Sequence, residues 1–121
     1  MGSAGFVRGL FAGRLDSAAL FPYPQQDAEA AETTAAIVGA VAEWAAHAID
    51  PAAIDREKKI PPSVIDGLRE LGLFGLTIPE EYGGAGQGQV TYARVLETVA
   101  HRCASTVTVL GAQLGIGMKA L

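Results

Sequence analysis

The chain has 121 residues, half of them hydrophobic, with 9 basic and 13 acidic side chains and a formal net charge of -4. This length predicts one domain with its own hydrophobic core, and the negative charge gives no basic surface for a nucleic acid. The longest uncharged stretch, residues 103–118, contains polar residues and glycines and is shorter than the ~20 apolar residues that cross a bilayer. We therefore expect neither a nucleic-acid partner nor a transmembrane segment.

The N-terminal residues carry Arg8 and Arg14 and no acidic residue before Asp16. Organellar transit signals are also basic and poor in acids, so this pattern leaves such a signal open. The single cysteine, Cys103, excludes an intramolecular disulfide, and we expect its thiol to pack within a helix in a reducing compartment. The expected location is the bacterial cytoplasm, with the mitochondrial matrix as the alternative.

Two prolines divide the chain near its start. Pro22 and Pro24 fix the backbone φ angle and remove two amide donors, which favours an extended tether. We expect residues 1–26 to form an N-terminal arm with this tether. Residues 27–121 then form the folded domain.

The first long helix is predicted between Asp27 and Ile49. Apolar and small residues recur there at the three- and four-residue spacing of one helical face, and the glutamates lie largely off that face. Asp50-Pro51 ends the helix, since proline disfavours the helical conformation of the residue before it. The predicted inward residues are Ala30, Ala31, Thr34, Ile37, Val38, Val41, Trp44, Ala45 and Ala48.

A second helix is predicted from "IPPSVIDGLRELG", residues 60–72. Proline is tolerated in a first turn, and Gly72 suits the left-handed position after the helix. A third helix is predicted over residues 89–102, with Arg94 able to pair with Glu97 one turn on. Its predicted inward residues are Val90, Ala93, Val95, Leu96, Val99 and Ala100.

The last segment, "STVTVLGAQLGIGMKAL", gives two conflicting signals. Residues 106–110 have the β-branched enrichment of a strand, whereas Ser105 is a good helix N-cap and the apolar residues have helical spacing. A lone strand would leave its backbone groups without partners, and no second strand is predicted. We therefore predict a helix here and an all-α fold.

Residues 71–89, "LGLFGLTIPEEYGGAGQGQ", place four glycines after two glutamates. They match neither the Gly-x-Gly-x-x-Gly fingerprint of dinucleotide-binding folds nor a phosphate-binding P-loop. Glu80 and Glu81 are adjacent, so their side chains project in different directions and do not suit an acid/base pair. The stretch therefore predicts a joint between two helices.

The remaining reactive residues form no recognisable catalytic set. His47 and His101 lie on separate predicted helices, and neither they nor Cys103 recur at metal-ligand spacing. Ser63 and Ser105 stand at predicted helix starts, outside any Gly-x-Ser-x-Gly motif. We assign no catalytic, cofactor-binding or metal-ligating residue.

A family resemblance is carried by "LGLFG", "IPEEYGG" and the glycine at position 86, followed by a helix and the last segment. In this combination the sequence resembles the N-terminal helical domain of the flavin-dependent acyl-CoA dehydrogenases. The arm, "LFAGRLDSAALFPYP", is similar to the start of the very-long-chain branch. The resemblance spans nearly all of the chain, and it implies that the glycines serve tight turns.

The resemblance also implies an activity for a longer protein. The family oxidises fatty acyl-CoA with FAD, and passes electrons to electron-transferring flavoprotein. Its base and most flavin contacts lie in a β-domain and a C-terminal helical bundle, before which this sequence stops, so the chain alone is expected to be inactive. The full-length family members imply a homo-oligomer and a role in the β-oxidation of long-chain substrates.

In the family the last helix of this domain helps to wall the cavity for the acyl tail. The matching positions here are Thr108, Val109, Gly111, Ala112 and Ile116, among which small residues predominate. Small side chains would leave a deeper cavity for a longer tail. Close helix packing through Gly111 and Gly115 explains the same pattern equally well, and a stand-alone helical interaction or assembly module is the alternative function.

Overall fold

A computed structural model describes residues 5–23 and 25–118, and within these ranges every regular element is helical. The all-α prediction is therefore confirmed for the described residues. The α-helices are α1 (Phe6–Phe11), α2 (Ala28–Ala48), α3 (Pro51–Glu57), α4 (Pro62–Glu70), α5 (Gln89–Arg102) and α6 (Ala104–Gly111). Short 3-10 turns span Ser17–Ala19, Leu73–Gly75 and Glu80–Tyr82, and a π-helical segment, Ala112–Gly117, continues α6.

The core lies where α2, α4, α5 and α6 meet the turn at Leu73–Gly75. Helix α5 is central, because it packs against both α2 and α6. The buried apolar residues are Val41, Ala45, Ile49, Ile54, Val64, Leu68, Leu73, Leu76, Val95, Val99, Cys103, Leu110 and Leu114. One apolar cluster thus holds α2 to α6 together.

Helices α2 and α4 approach closely at one glycine. Gly67 is buried in the middle of α4, and a Cβ atom placed there would lie 2.5 Å from Nε1 of Trp44 on α2. The indole ring therefore occupies the space that any larger residue at position 67 would need.

Helix α2 agrees closely with its prediction. The Asp27 carboxylate caps it by accepting a hydrogen bond from the Ala30 amide at 2.8 Å. The helix ends before Asp50-Pro51 as expected, but the sequence analysis missed α3, which begins at Pro51. Asp50 caps this extra helix, accepting from the Ala53 amide at 3.0 Å.

Helix α5 has the predicted bounds, but its inward face was partly wrong. Val95 and Val99 are buried as predicted, whereas Val90, Ala93 and Ala100 are exposed. The buried position of the first turn is instead Thr91, whose hydroxyl lies 2.8 Å from that of Thr34 on α2. A hydrogen-bonded threonine pair thus takes a place that apolar residues were expected to fill. The predicted Arg94–Glu97 pair is present, at 3.7 Å between Nη1 and Oε2.

The last segment is helical as predicted, but its start and its end differ from expectation. Ser105 is not the N-cap, because Cys103 occupies that position and Ser105 lies inside α6. From Ala112 the hydrogen bonding changes to the wider π-helical pattern. The predicted segment runs to Leu121, and residues 119–121 lie outside the described residues.

The N-terminal arm contacts the helices chiefly through its last part. Gln26 donates from Nε2 to the hydroxyls of Thr34 at 2.9 Å and Thr91 at 3.2 Å. Pro22 lies in a non-helical stretch, and Pro24 lies outside the described residues. Several large apolar side chains of the arm are exposed: Val7, Leu10, Phe11, Leu15, Phe21 and Tyr23.

Candidate functional site

The glycine-bearing joint, residues 71–89, folds back on itself through backbone hydrogen bonds. The Gly86 amide donates to the Ile78 carbonyl at 2.8 Å, and the Ala85 amide donates to the Gly75 carbonyl at 2.9 Å. Gly84 permits this approach, since a Cβ there would lie 2.1 Å from the Ile78 carbonyl oxygen. Gly86 has a φ of 61°, which side chains disfavour. The prediction that these glycines serve tight turns is therefore confirmed.

The two glutamates of the joint do not form a catalytic pair in the described structure. Glu80 and Glu81 open the short turn after Pro79, and both are exposed. The exposed carboxylates lie in solvent, where nothing holds them towards a common reacting atom. Their interpretation as solvated residues at the start of a turn agrees with the structure.

The five predicted acyl-pocket residues, which we call the wall surface, lie along α6 and its π-helical continuation: Thr108, Val109, Gly111, Ala112 and Ile116. Thr108, Ala112 and Ile116 are exposed, with Ile116 at 77%. Gly111 and Val109 are half-buried. The opposite side of the helix is anchored by fully buried Thr106 and Leu110. The wall surface therefore faces outward from the core.

The two glycines of this segment have different surroundings. A Cβ on Gly111 would meet no atom within 4 Å, whereas a Cβ on Gly115 would lie 3.2 Å from the Tyr92 hydroxyl of α5. Close packing therefore accounts for Gly115. It does not account for Gly111, whose small size leaves space on the outer side of α6.

Val109 borders a separate cleft of about 580 Å³ beside the link between α3 and α4. Its neighbours there include Lys58, Ile60 and Ser105. Val109 thus faces a different cavity from the exposed residues of the wall surface. The structure does not bring all five predicted residues into one pocket.

A further cleft, of about 530 Å³, lies between the glycine-bearing joint and the end of the π-helical segment. Most of its lining is apolar, and it includes the Tyr82 side chain and Leu114. The residues that line it are Thr77, Ile78, Pro79, Tyr82, Gln89, Leu114 and Met118. The sequence analysis missed this cleft, because its two sides come from segments distant in the chain. Within residues 5–23 and 25–118, no helix is both long and apolar enough to span a membrane.

Comparison with known proteins identifies the family. Residues 31–121 match the family described as "Acyl-CoA dehydrogenase, N-terminal domain". This match covers well over half of the chain, so the protein belongs to the acyl-CoA dehydrogenase family. The resemblance inferred from the joint and the last segment is therefore confirmed.

Individual relatives add detail to this assignment. The mouse (Mus musculus) protein named "Very long-chain specific acyl-CoA dehydrogenase, mitochondrial" is 38% identical over 120 residues, covering 98% of this chain and 18% of the relative. The Mycobacterium tuberculosis "Probable acyl-CoA dehydrogenase FadE10" is 40% identical over 114 residues, covering 93% of this chain and 17% of the relative. The chain thus spans less than a fifth of the length of these relatives. Both matches include most of the N-terminal arm, which lies before the family domain.

Proposed function

We propose that the chain is the N-terminal part of a flavin-dependent acyl-CoA dehydrogenase that introduces a double bond between the α and β carbons of a long-chain fatty acyl-CoA. The family match and the very-long-chain relative support this proposal. In it, residues 27–121 are the helical domain and residues 1–26 are an arm attached to it. The bacterial cytoplasm is the proposed location and the mitochondrial matrix the alternative, since relatives of both origins match.

In this function the wall surface borders the acyl tail. The observation that supports this role most directly is that the outward face of α6 carries no charge. By contrast, the exposed residues of α2 include Glu29, Glu32 and Glu43. An exposed helical face without charges is suited to cover by an apolar partner, and Gly111 and Ala112 leave room for an alkyl chain there.

FAD belongs to the proposed longer enzyme, and we assign it no contact in this chain. The cleft next to the joint does not fit the cofactor, because none of its lining residues is a cation that could neutralise a dinucleotide phosphate. The chain purified alone should therefore show no visible flavin absorbance and no dehydrogenase activity. Bound flavin or turnover in that preparation would contradict this division of roles.

The proposed partners are fatty acyl-CoA, the β-domain and C-terminal helical bundle of the longer protein, and electron-transferring flavoprotein. A homo-oligomer is proposed for the full-length enzyme. Reading the coding sequence past Leu121 tests the first requirement. A continuation that encodes the β-domain supports the enzyme, and an isolated gene without one supports the stand-alone interaction module.

The role of the wall surface is tested by Ala112→Phe in the full-length enzyme. A phenyl group at this exposed position would occupy the space beside Gly111, so activity on long acyl-CoA substrates should fall at least ~10-fold relative to activity on short ones. The matched control is Ala36→Phe, which places the same side chain on an exposed position of α2. It should leave the ratio of long-chain to short-chain activity unchanged.

Two results would count against this role. One is an equal loss on long and short substrates in Ala112→Phe with the fold intact by circular dichroism. The other is the same change of ratio in both variants. Either would show that the phenyl group acts on the general fold and not on the space for the tail.

A further inference from the structure

The break between α5 and α6 falls on the single cysteine. Cys103 has an extended backbone, with φ of -156° and ψ of 115°, and it serves as the end of α5 and the N-cap residue of α6. Its amide donates to the Val99 carbonyl at 2.9 Å, and its carbonyl accepts from the Val107 amide at 3.2 Å. The thiol is only 7% exposed and belongs to the apolar core. Its position at a helix start, and not within a helix, corrects the sequence-based expectation.

This position places polar groups around the sulfur. An N-cap side chain faces the free amides of the first helical turn, and the residues preferred there carry an oxygen. Burial raises the pKa of the Cys103 thiol, but the hydroxyl and amide of Thr106 and the amide and hydroxyl of Ser105 lower it, and the net shift is downward. The start of α6 thus favours a negatively charged sulfur.

A second observation is independent of the thiol's ionisation. Thr106 is fully buried, and its hydroxyl oxygen has no hydrogen-bond partner of ordinary geometry among the described residues. Other threonines of α5 and α6 bond within their helix: the Thr108 hydroxyl donates to the Ala104 carbonyl at 2.9 Å and the Thr98 hydroxyl donates to the Arg94 carbonyl at 2.8 Å. A buried hydroxyl without a partner is costly, and this one is directed at the sulfur. It is placed to bond a further polar atom attached there.

We propose that Cys103 is a site of reversible oxidation by hydrogen peroxide, and that the Thr106 hydroxyl donates to the oxygen of the resulting sulfenic acid. In this step the thiolate sulfur attacks one peroxide oxygen, an S–O bond forms and the O–O bond breaks. The sulfur loses two electrons to the departing hydroxide, which takes up the proton that the thiol released and leaves as water. A thiol reverses the modification by displacing the oxygen as water and forming a disulfide.

A route for the small oxidant is present next to the thiol. Ser105, two residues from Cys103, lines the open cleft of about 580 Å³ that also contains Lys58 and Lys59. Solvent therefore comes within one helical turn of the sulfur, although the sulfur itself is nearly covered. A peroxide molecule is only slightly larger than water, whereas larger oxidants would be excluded.

The test treats the 121-residue chain with hydrogen peroxide, traps sulfenic acid with a cyclic 1,3-dione, and quantifies the labelled peptide by mass spectrometry. The native chain should be labelled at Cys103, and Cys103→Ser should not be labelled. Thr106→Val keeps the side-chain shape and removes the hydroxyl, so it should slow labelling roughly five- to tenfold, the effect of one hydrogen bond. Thr108→Val is the matched control on the same helix and should be labelled at the native rate.

Two results would overturn the proposal. One is labelling of Cys103 only when the chain is unfolded in urea, and the other is equal labelling rates in Thr106→Val and Thr108→Val. If Thr106→Val loses its helical circular dichroism signal, Thr106→Ser and Ser105→Ala replace it. The serine variant keeps the hydroxyl and should be labelled at the native rate, whereas Ser105→Ala should slow labelling; the opposite order would refute the proposed role of Thr106.

Discussion

The contact between Gly67 and Trp44 gives a prediction whose sign depends on the structure. In Gly67→Ala, the added Cβ would lie 2.5 to 2.7 Å from three atoms of the indole ring, so the ring or the α4 backbone must move. Overpacking of this kind costs about 1–3 kcal/mol. It opposes the gain of about 1 kcal/mol that alanine normally gives over glycine inside a helix. The expected net effect is a loss of up to about 2 kcal/mol.

Gly39→Ala is the matched control for this prediction. Gly39 is exposed within α2, and a Cβ there would meet nothing within 4 Å. The same substitution should therefore raise the free energy of unfolding by about 1 kcal/mol. The two variants should differ by about 1–3 kcal/mol, with opposite signs relative to the native chain when the clash dominates.

Urea unfolding followed by circular dichroism measures this difference. For a separation of ~2 kcal/mol and a slope near ~2 kcal/mol per molar urea, the two midpoints should lie about 1 M apart. Trp44→Leu in the Gly67→Ala background should recover part of the loss, because a smaller side chain removes the clash. If Gly67→Ala is as stable as Gly39→Ala, the close approach of α2 and α4 is wrong.

Three further substitutions test polar contacts between and within the helices by the same urea assay. Thr91→Val should lower the free energy of unfolding by about 1 kcal/mol, because it removes the buried hydroxyl shared with Thr34; an unchanged midpoint would mean that this pair contributes nothing. Arg102→Leu should cost about 1 kcal/mol, since its Nε donates to the Ile49 carbonyl at 3.0 Å at the end of α2, and a stabilised variant would contradict that contact. Asp50→Ala should cost about 1 kcal/mol through loss of the α3 cap, and no loss would mean that α3 does not need it.

Local signals predicted most of the helices well. The bounds of α2, α4 and α5 follow from apolar spacing, from Asp50-Pro51 and from the left-handed Gly72, each of which acts within one or two helical turns. Helix α3 was missed because its proline was interpreted only as the end of the preceding helix. Proline also starts helices at their first position, which is its role here.

The errors in α5 and in the wall surface have a different cause. Whether Thr91 or Val90 faces inward is decided by Thr34 and Gln26, residues far away in the sequence that accept and donate hydrogen bonds at that point. In the same way, the different surroundings of Gly111 and Gly115 depend on Tyr92 of another helix. Tertiary contacts of this kind leave no periodic trace in the sequence, so spacing alone could not separate packing from a free surface.

The π-helical pattern at Ala112–Gly117 means that the number of residues in this segment matters as much as their identity. A π turn holds one residue more than the α-helical turn it replaces. Deleting a single residue would let the ordinary spiral continue and would swing every later side chain by about 100° around the axis. Met118 would then turn away from the cleft that it now shares with Tyr82. Relatives that differ by one residue here would present another set of side chains to that cleft, even with the same composition.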